Sequence, residues 1–215
     1  MASRRKATRK ASRKATPKSK RKPTARTPRK ATRKAPRNTA SRTARKPGRG
    51  PLRQPVFAPD ALREMLAHIQ GWREAHAGFE HAVSELPADL RGRVPEGLPY
   101  SAWQLLEHLR LAQHDILDFC RNPAYEEMKW PDDYWPRDPA PPSADAWDKS
   151  VRAYLEDRNA FEALARDRKV DLFARIPHGS GQTYLRELLL AADHAAYHVG
   201  EIVTVRRLLG AWPPR

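Results

Sequence analysis

Apolar side chains recur with a period of about 3.6 residues through most of the chain after residue 59, and this period predicts four long helices. The first is expected from Asp60, a good N-cap, to about Leu86, and the other three over 101–121, 143–169 and 183–210. The buried stripe expected for the first helix consists of Leu62, Met65, Ile69, Trp72, Phe79 and Val83.

Local signals mark the helix boundaries and the connections. Ser101 is followed three residues later by Gln104, which is the spacing of a capping box, and Gly210 suits the end of the fourth helix. Residues 122–142 are rich in proline and in aromatic residues, and they predict an ordered loop packed on the helices. A short irregular crossing is expected from Leu172 to Gly181.

Four amphipathic helices with almost no strand signal predict an all-α domain, a four-helix bundle over residues 60–215. A proline-rich linker at 51–59 and a separate tail at 1–50 are expected before it. The chain has no glycine-rich phosphate loop, no dinucleotide-binding fingerprint and no serine-nucleophile elbow.

The net charge of +16 is an average over two unlike parts of the chain. Residues 1–50 contain 21 of the 41 Lys and Arg residues and no acidic residue. The remaining residues carry 20 basic and 25 acidic side chains, a net charge of −5. The bundle is therefore mildly acidic, and the tail supplies the whole positive excess.

The tail is a degenerate repeat, Arg-Lys-Ala followed by Thr, Ser or Pro, found in one register at 5–8, 9–12, 13–16, 29–32 and 33–36. It offers no apolar surface to bury, and its charges repel one another, so we expect disorder. It resembles in composition the tails of linker histones and bacterial histone-like proteins, which implies non-specific binding of nucleic acid through residues 1–50. A solubilising extension and an organelle transit peptide are the alternatives.

The sequence offers neither a possible internal disulfide nor a membrane-spanning segment, and both observations bear on the cellular location. Cys120 is the single cysteine, so no internal disulfide can form, and no apolar run has the length needed to cross a bilayer. We therefore expect a cytoplasmic protein without a membrane partner, associated with the nucleoid if the tail binds DNA.

Three histidines are the candidate chemistry of the bundle. His194 and His198 are one turn apart on the fourth helix and share its apolar face, so both imidazoles can reach one point. His108 lies on the apolar face of the second helix. These residues predict one divalent metal ion between two helices, with hydrogen-bonded core histidines as the alternative. The apolar residues on the face of His194 are Leu190, Ala191, Val205, Leu208 and Leu209.

Three neutral imidazoles leave a fourth ligand position open, as in catalytic zinc sites. Zinc is the first candidate, and Ni, Fe or Mn also suit imidazole ligands. Such an ion could activate a water molecule or a low-molecular-weight thiol. Glu201, Asp115 and His178 are the candidates for moving protons, and Gln104 is a further candidate partner of His108.

Several segments together resemble the DinB/YfiT-type superfamily over residues of about 57–213. They are Pro-Tyr-Ser-Ala-Trp103-Gln-Leu-Leu-Glu-His108, Trp130-Pro-Asp-Asp-Tyr-Trp135-Pro, Ile-Pro-His178-Gly-Ser-Gly-Gln-Thr and Asp-His194-Ala-Ala-Tyr-His198-Val-Gly-Glu201. The resemblance implies a metal-binding four-helix bundle with His108, His194 and His198 as ligands. It also implies a thiol-dependent transferase or isomerase, or a metal-dependent hydrolase.

Two functions remain open at this point. One is a metal-dependent enzyme acting on an unidentified small-molecule substrate. The other is a non-catalytic, histone-like protein in which the bundle is a structural head for a DNA-binding tail. In that case the bundle could be a monomer or a homodimer. A third possibility combines the two.

Overall fold

The structure, a computed structural model that describes residues 59–214, is all-α as predicted. Its helices over this range are α1 (Pro59–Ile69), α2 (Phe79–Val83), α3 (Ala88–Arg91), α4 (Ala102–Arg121), α5 (Ala146–Arg166) and α6 (Tyr184–Leu208). The four long helices, α1, α4, α5 and α6, form the bundle. The described backbone contains no strand, and its one isolated bridge joins Arg175 to Thr183 in the predicted crossing.

Helix α4 is the centre of the bundle, because it packs against both α5 and α6. Helix α1 closes the bundle by contacting α5 and α6, while the short helices α2 and α3 pack on α6 and α4. Their apolar faces meet in two clusters. One lies around Trp103, Leu106 and Ile202, and the other lies around Leu117, Phe161 and Leu188. Burial of these faces holds the long helices in fixed register.

The predicted capping box at the start of α4 is confirmed. The main-chain N–H of Gln104 donates to the Ser101 hydroxyl at 3.1 Å, and the main-chain N–H of Ser101 donates to the Gln104 side chain at 3.2 Å. The same two side chains also hold the aromatic loop, because they donate to the main-chain carbonyls of Pro139 and Pro136. Gln104 is therefore occupied at the helix end, and its predicted pairing with His108 is wrong.

The prediction of one continuous helix over 60–86 is wrong. Helix α1 ends at Ile69, and α2 begins only at Phe79. Glycine at position 71 is a poor helix former, and the buried Gln70 side chain donates to the carbonyls of Leu66 and Leu188, which ties the end of α1 to α6. The buried face of α1 also differs from the predicted stripe. Leu66 and Ala67 are buried, whereas Met65 and Trp72 of the expected stripe are exposed.

The other boundaries lie close to the predicted ones. Thr183 caps α6 by accepting from the main-chain N–H of Arg186 at 3.3 Å. Leu208 was expected on the buried face, but it is 57% exposed because it is the last residue of the helix. Between 59 and 214 no helix combines the length and hydropathy needed for a bilayer span. The predicted tail at 1–50 and nearly all of the linker at 51–59 lie outside the described residues, and the domain boundaries stay predictions.

Candidate metal centre

The packing of α4 against α6 brings together the three histidines that the sequence singled out. His108 lies in the second turn of α4, and its side chain is almost completely buried, with 2% exposed. His194 and His198 lie one turn apart on the facing side of α6, and His198 is also buried. Residues 86 positions apart in the chain thus meet in the bundle interior.

The three imidazoles converge on one point. One nitrogen from each ring lies within 4.8 Å of the corresponding nitrogens of the other two, and the Nε2 atoms of His108 and His194 are 3.1 Å apart. In a tetrahedral zinc site with Zn–N distances of about 2.0–2.1 Å, ligand nitrogens lie roughly 3.3 Å apart. The separation of His108 and His194 is close to this value, and the three nitrogens are near enough that the residues could hold one metal ion.

Hydrogen bonds on the outer nitrogens orient two of the rings. The Nδ1 of His108 is 3.0 Å from the main-chain carbonyl oxygen of Tyr134, and the Nδ1 of His198 is 2.6 Å from a carboxylate oxygen of Glu201. A carbonyl oxygen only accepts, so Nδ1 of His108 must donate. Its Nε2 lone pair is then directed toward the other two imidazoles, which is the arrangement in which histidine binds a metal.

Burial keeps the three imidazoles neutral. Burial, together with the charge that a neighbouring imidazolium would carry, lowers the pKa of His194 to about 3 and the pKa of His198 to about 4. The pKa of His108 is lowered as well, chiefly by burial. Because only the neutral ring has a lone pair for a metal, all three are ready to act as ligands at neutral pH.

Trp135 is a contact of the site that the sequence did not reveal. Its indole ring stacks on the imidazole of His108, with centroids 3.8 Å apart. The loop at 122–142 was correctly expected to pack on the bundle, but no spacing rule relates it to a helix position. The aromatic Trp-Pro-Asp-Asp-Tyr-Trp-Pro run was the available signal, since the carbonyl of Tyr134 and the ring of Trp135 both hold His108.

The three predicted proton carriers lie in different places. Glu201 contacts His198 directly. Asp115 is two turns, or roughly 10 Å, along α4 from His108, and it accepts hydrogen bonds from the hydroxyls of Tyr125 and Tyr134. His178 donates to the main-chain carbonyl of Phe119. Asp115 and His178 line a neighbouring cleft, so their role in proton transfer stays a prediction.

Comparison with known proteins agrees with this geometry. A family model described as the DinB superfamily matches residues 71–202, which include all three histidines and the aromatic loop. No curated protein and no solved structure gave a match. The family match covers more than half of the chain, which confirms the predicted resemblance of the helical part to the DinB superfamily. The chain belongs to the DinB superfamily.

Proposed function

We propose that the bundle is a metal-dependent enzyme that holds one divalent ion between His108, His194 and His198 and acts on a small-molecule substrate. The observation that carries the proposal is the convergence of three neutral imidazole nitrogens within 4.8 Å of one another. Membership of the DinB superfamily supports it. Zinc is the first candidate, and Ni, Fe and Mn also suit three imidazoles.

The reaction class that we propose is thiol-dependent transfer or hydrolysis. When bound, the ion would supply Lewis acidity toward a thiol or a water molecule. The side chains and backbone around the site orient and shield the histidine ligands. Glu201 orients His198, the Tyr134 carbonyl orients His108, and the Trp135 ring shields His108 from solvent. His194 is the least buried of the three ligands, so substrate would approach the site from its side.

Metal content tests the first part of the proposal. We expect about one ion per full-length chain, and almost none in His198→Ala, because two imidazoles bind a divalent ion far more weakly than three. His114→Ala is the matched control, since His114 is also on a bundle helix but is exposed. Equal metal content in wild type and His198→Ala would refute the site.

Turnover tests the second part. Thiol-dependent transfer and hydrolysis should disappear in His194→Ala together with the metal and should persist in His114→Ala. Complete loss of metal with no change in any detectable reaction would instead favour the non-catalytic alternative, in which the bundle is a structural head.

For residues 1–50, which lie outside the described part of the chain, we propose non-specific binding of nucleic acid. The support is the sequence alone, with 21 cationic and no acidic residues. Retention on DNA at about 0.1 M salt should require this segment and should fall steeply as salt rises, because counterions are released on binding. Unchanged retention after deletion of residues 1–50 would refute the proposal. A cytoplasmic protein held near the nucleoid is the setting that it implies.

A further inference from the structure

A polar cleft of about 530 Å³ shares Tyr134 with the candidate metal centre. It lies between α4 and α6 and is bordered by the aromatic loop and by the 178–182 turn. Its lining includes both carboxylates and aromatic rings. The carboxylates are Asp115, Glu127 and Glu187, and the aromatic rings are Phe119, Tyr125 and Tyr134. A volume of this size suits a small molecule.

The charge of the lining is negative. Three carboxylates face one guanidinium, that of Arg186, which pairs with the buried Glu187 at 2.5 Å. The Asp115 carboxylate accepts hydrogen bonds from Tyr125 at 2.9 Å and from Tyr134 at 2.7 Å. Burial, the hydrogen bond from Tyr125 to Asp115, and the charges of Asp115 and Glu127 all raise the pKa of Tyr125. The Tyr125 hydroxyl therefore stays protonated, and the lining keeps its net negative charge.

The aromatic rings favour the same kind of ligand. A cation placed over the face of tyrosine or tryptophan is attracted by the ring quadrupole. Tyr125 and Tyr134 line the cleft, and the ring of Trp130, 69% exposed, lies 5.4 Å from that of Tyr134. Ile116 and Leu190 add an apolar wall against which a hydrocarbon chain can pack.

The cleft is adjacent to the candidate metal centre. Tyr134 belongs to both, since its hydroxyl bonds to Asp115 in the cleft and its carbonyl accepts from His108. Leu190 lines the cleft and precedes His194 by one turn on the same face of α6, a rise of roughly 6 Å. A ligand seated in the cleft would therefore have one end near the imidazoles.

We propose that this cleft binds a small organic cation, a protonated amine with a hydrocarbon body, through its carboxylates and aromatic rings. Presentation of that molecule to a metal ion rests on the proposed function above. Binding in the cleft itself does not, and the two are separable by experiment.

Cadaverine is a suitable probe because its two ammonium groups match the two excess negative charges of the lining. The neutral diol of the same chain length has nearly the same shape and carries no charge. We expect calorimetry on the full-length protein to show cadaverine binding at least tenfold more tightly than the diol. Equal affinity for the two probes would overturn the proposal.

One matched pair of variants locates the binding. Glu127→Gln should weaken cadaverine binding about threefold to tenfold, whereas Glu126→Gln should leave it unchanged, because Glu126 is also exposed but does not line the cleft. An equal effect of both would mean diffuse surface charge and would overturn the proposal.

A variant of a metal ligand distinguishes binding in the cleft from binding to the metal ion. His194→Ala should retain cadaverine binding in the cleft even where it loses the metal. Loss of cadaverine binding in this variant, with Glu127→Gln unaffected, would show that the amine binds the ion instead, and this would overturn the cleft assignment while leaving the proposed metal site intact.

Discussion

The indole ring of Trp135 lies flat against the imidazole ring of His108, with the two planes inclined by 5° and the centroids 3.8 Å apart. Tyr100 stacks on the same indole at 4.1 Å. The residue before Trp135 accepts a hydrogen bond from His108 through its main-chain carbonyl. The aromatic loop therefore fixes both the plane and the proton position of one candidate ligand, although it lies outside the bundle helices.

Replacement of Trp135 by alanine should weaken metal binding about tenfold, because His108 would lose the ring that holds its plane. Trp135→Phe should retain most of the affinity, since a phenyl ring can still stack. Competition titration with a chromogenic chelator measures both. The matched control is Trp130→Ala, whose ring is 6.4 Å from His108 and mostly exposed. Equal losses at the two positions would contradict a specific role for Trp135.

Glu201→Gln should lower metal affinity by about tenfold to a hundredfold. Glutamine can still accept a hydrogen bond from Nδ1 of His198, but it lacks the negative charge that makes the ring a stronger ligand. The thermal midpoint of the metal-free protein should change little, because the Glu201 side chain is 36% exposed. Glu156→Gln, an exposed glutamate on α5, controls for the loss of one charge. Unchanged affinity in Glu201→Gln would show that the carboxylate does not support the site.

The elements that the sequence predicted well are those governed by local rules. The capping box at Ser101 and Gln104 depends on a spacing of three residues, and the convergence of His194 with His198 depends on one helical turn. The inward direction of His108 followed from its apolar neighbours on α4. Local periodicity therefore predicted the bundle and placed its three histidines in the interior.

The features that escaped prediction depend on contacts between distant segments. The break after Ile69 is held by the Gln70 side chain, which bonds to a carbonyl 118 residues away. A helical period continues through 72 and 79 in the sequence and gives no sign of this contact. Asp115 shares a helix face with His108, but the aromatic loop supplies Tyr125 and Tyr134 to bind it. Face sharing alone could not reveal those partners.

The metal-free protein should lose stability as the pH falls below about 6.5, the ordinary pKa of histidine. The pKa of His194 is about 3 in the folded protein, so between these values the unfolded chain binds a proton that the folded chain does not. The stability that neutral His194 contributes is fully present above the pKa of histidine in the unfolded chain, and it declines as the pH falls below that pKa. Each such histidine should lower the free energy of unfolding by about 1.4 kcal/mol per pH unit.

Urea unfolding at a series of pH values, after removal of metal with a chelator, measures this slope. His194→Leu should reduce it by about 1.4 kcal/mol per pH unit between about pH 4 and pH 6, because one titrating imidazole is gone. Parallel pH profiles for wild type and His194→Leu would show that the imidazole is not kept neutral by burial.

The fully buried Arg206 should be a main determinant of stability at the end of the bundle near the C-terminus. Its Nη1 donates to the carbonyls of Ala82 at 2.7 Å and Ser84 at 2.8 Å, and its Nε donates to that of Ala211 at 3.0 Å. Arg206→Met should lower the free energy of unfolding by about 2–4 kcal/mol, because three carbonyls at the end of α2 and after α6 lose their donor.

Two further variants separate hydrogen bonding from charge. Arg206→Lys should recover only part of the stability, since a single ammonium nitrogen cannot reproduce the planar fork that reaches all three carbonyls. Arg207→Met, at the exposed neighbouring position, should change the free energy of unfolding by less than about 0.5 kcal/mol. Denaturant unfolding of the three variants tests this order. If Arg206→Lys matched the wild type, the positive charge would be sufficient, and the hydrogen-bond geometry would not explain why an arginine is buried there.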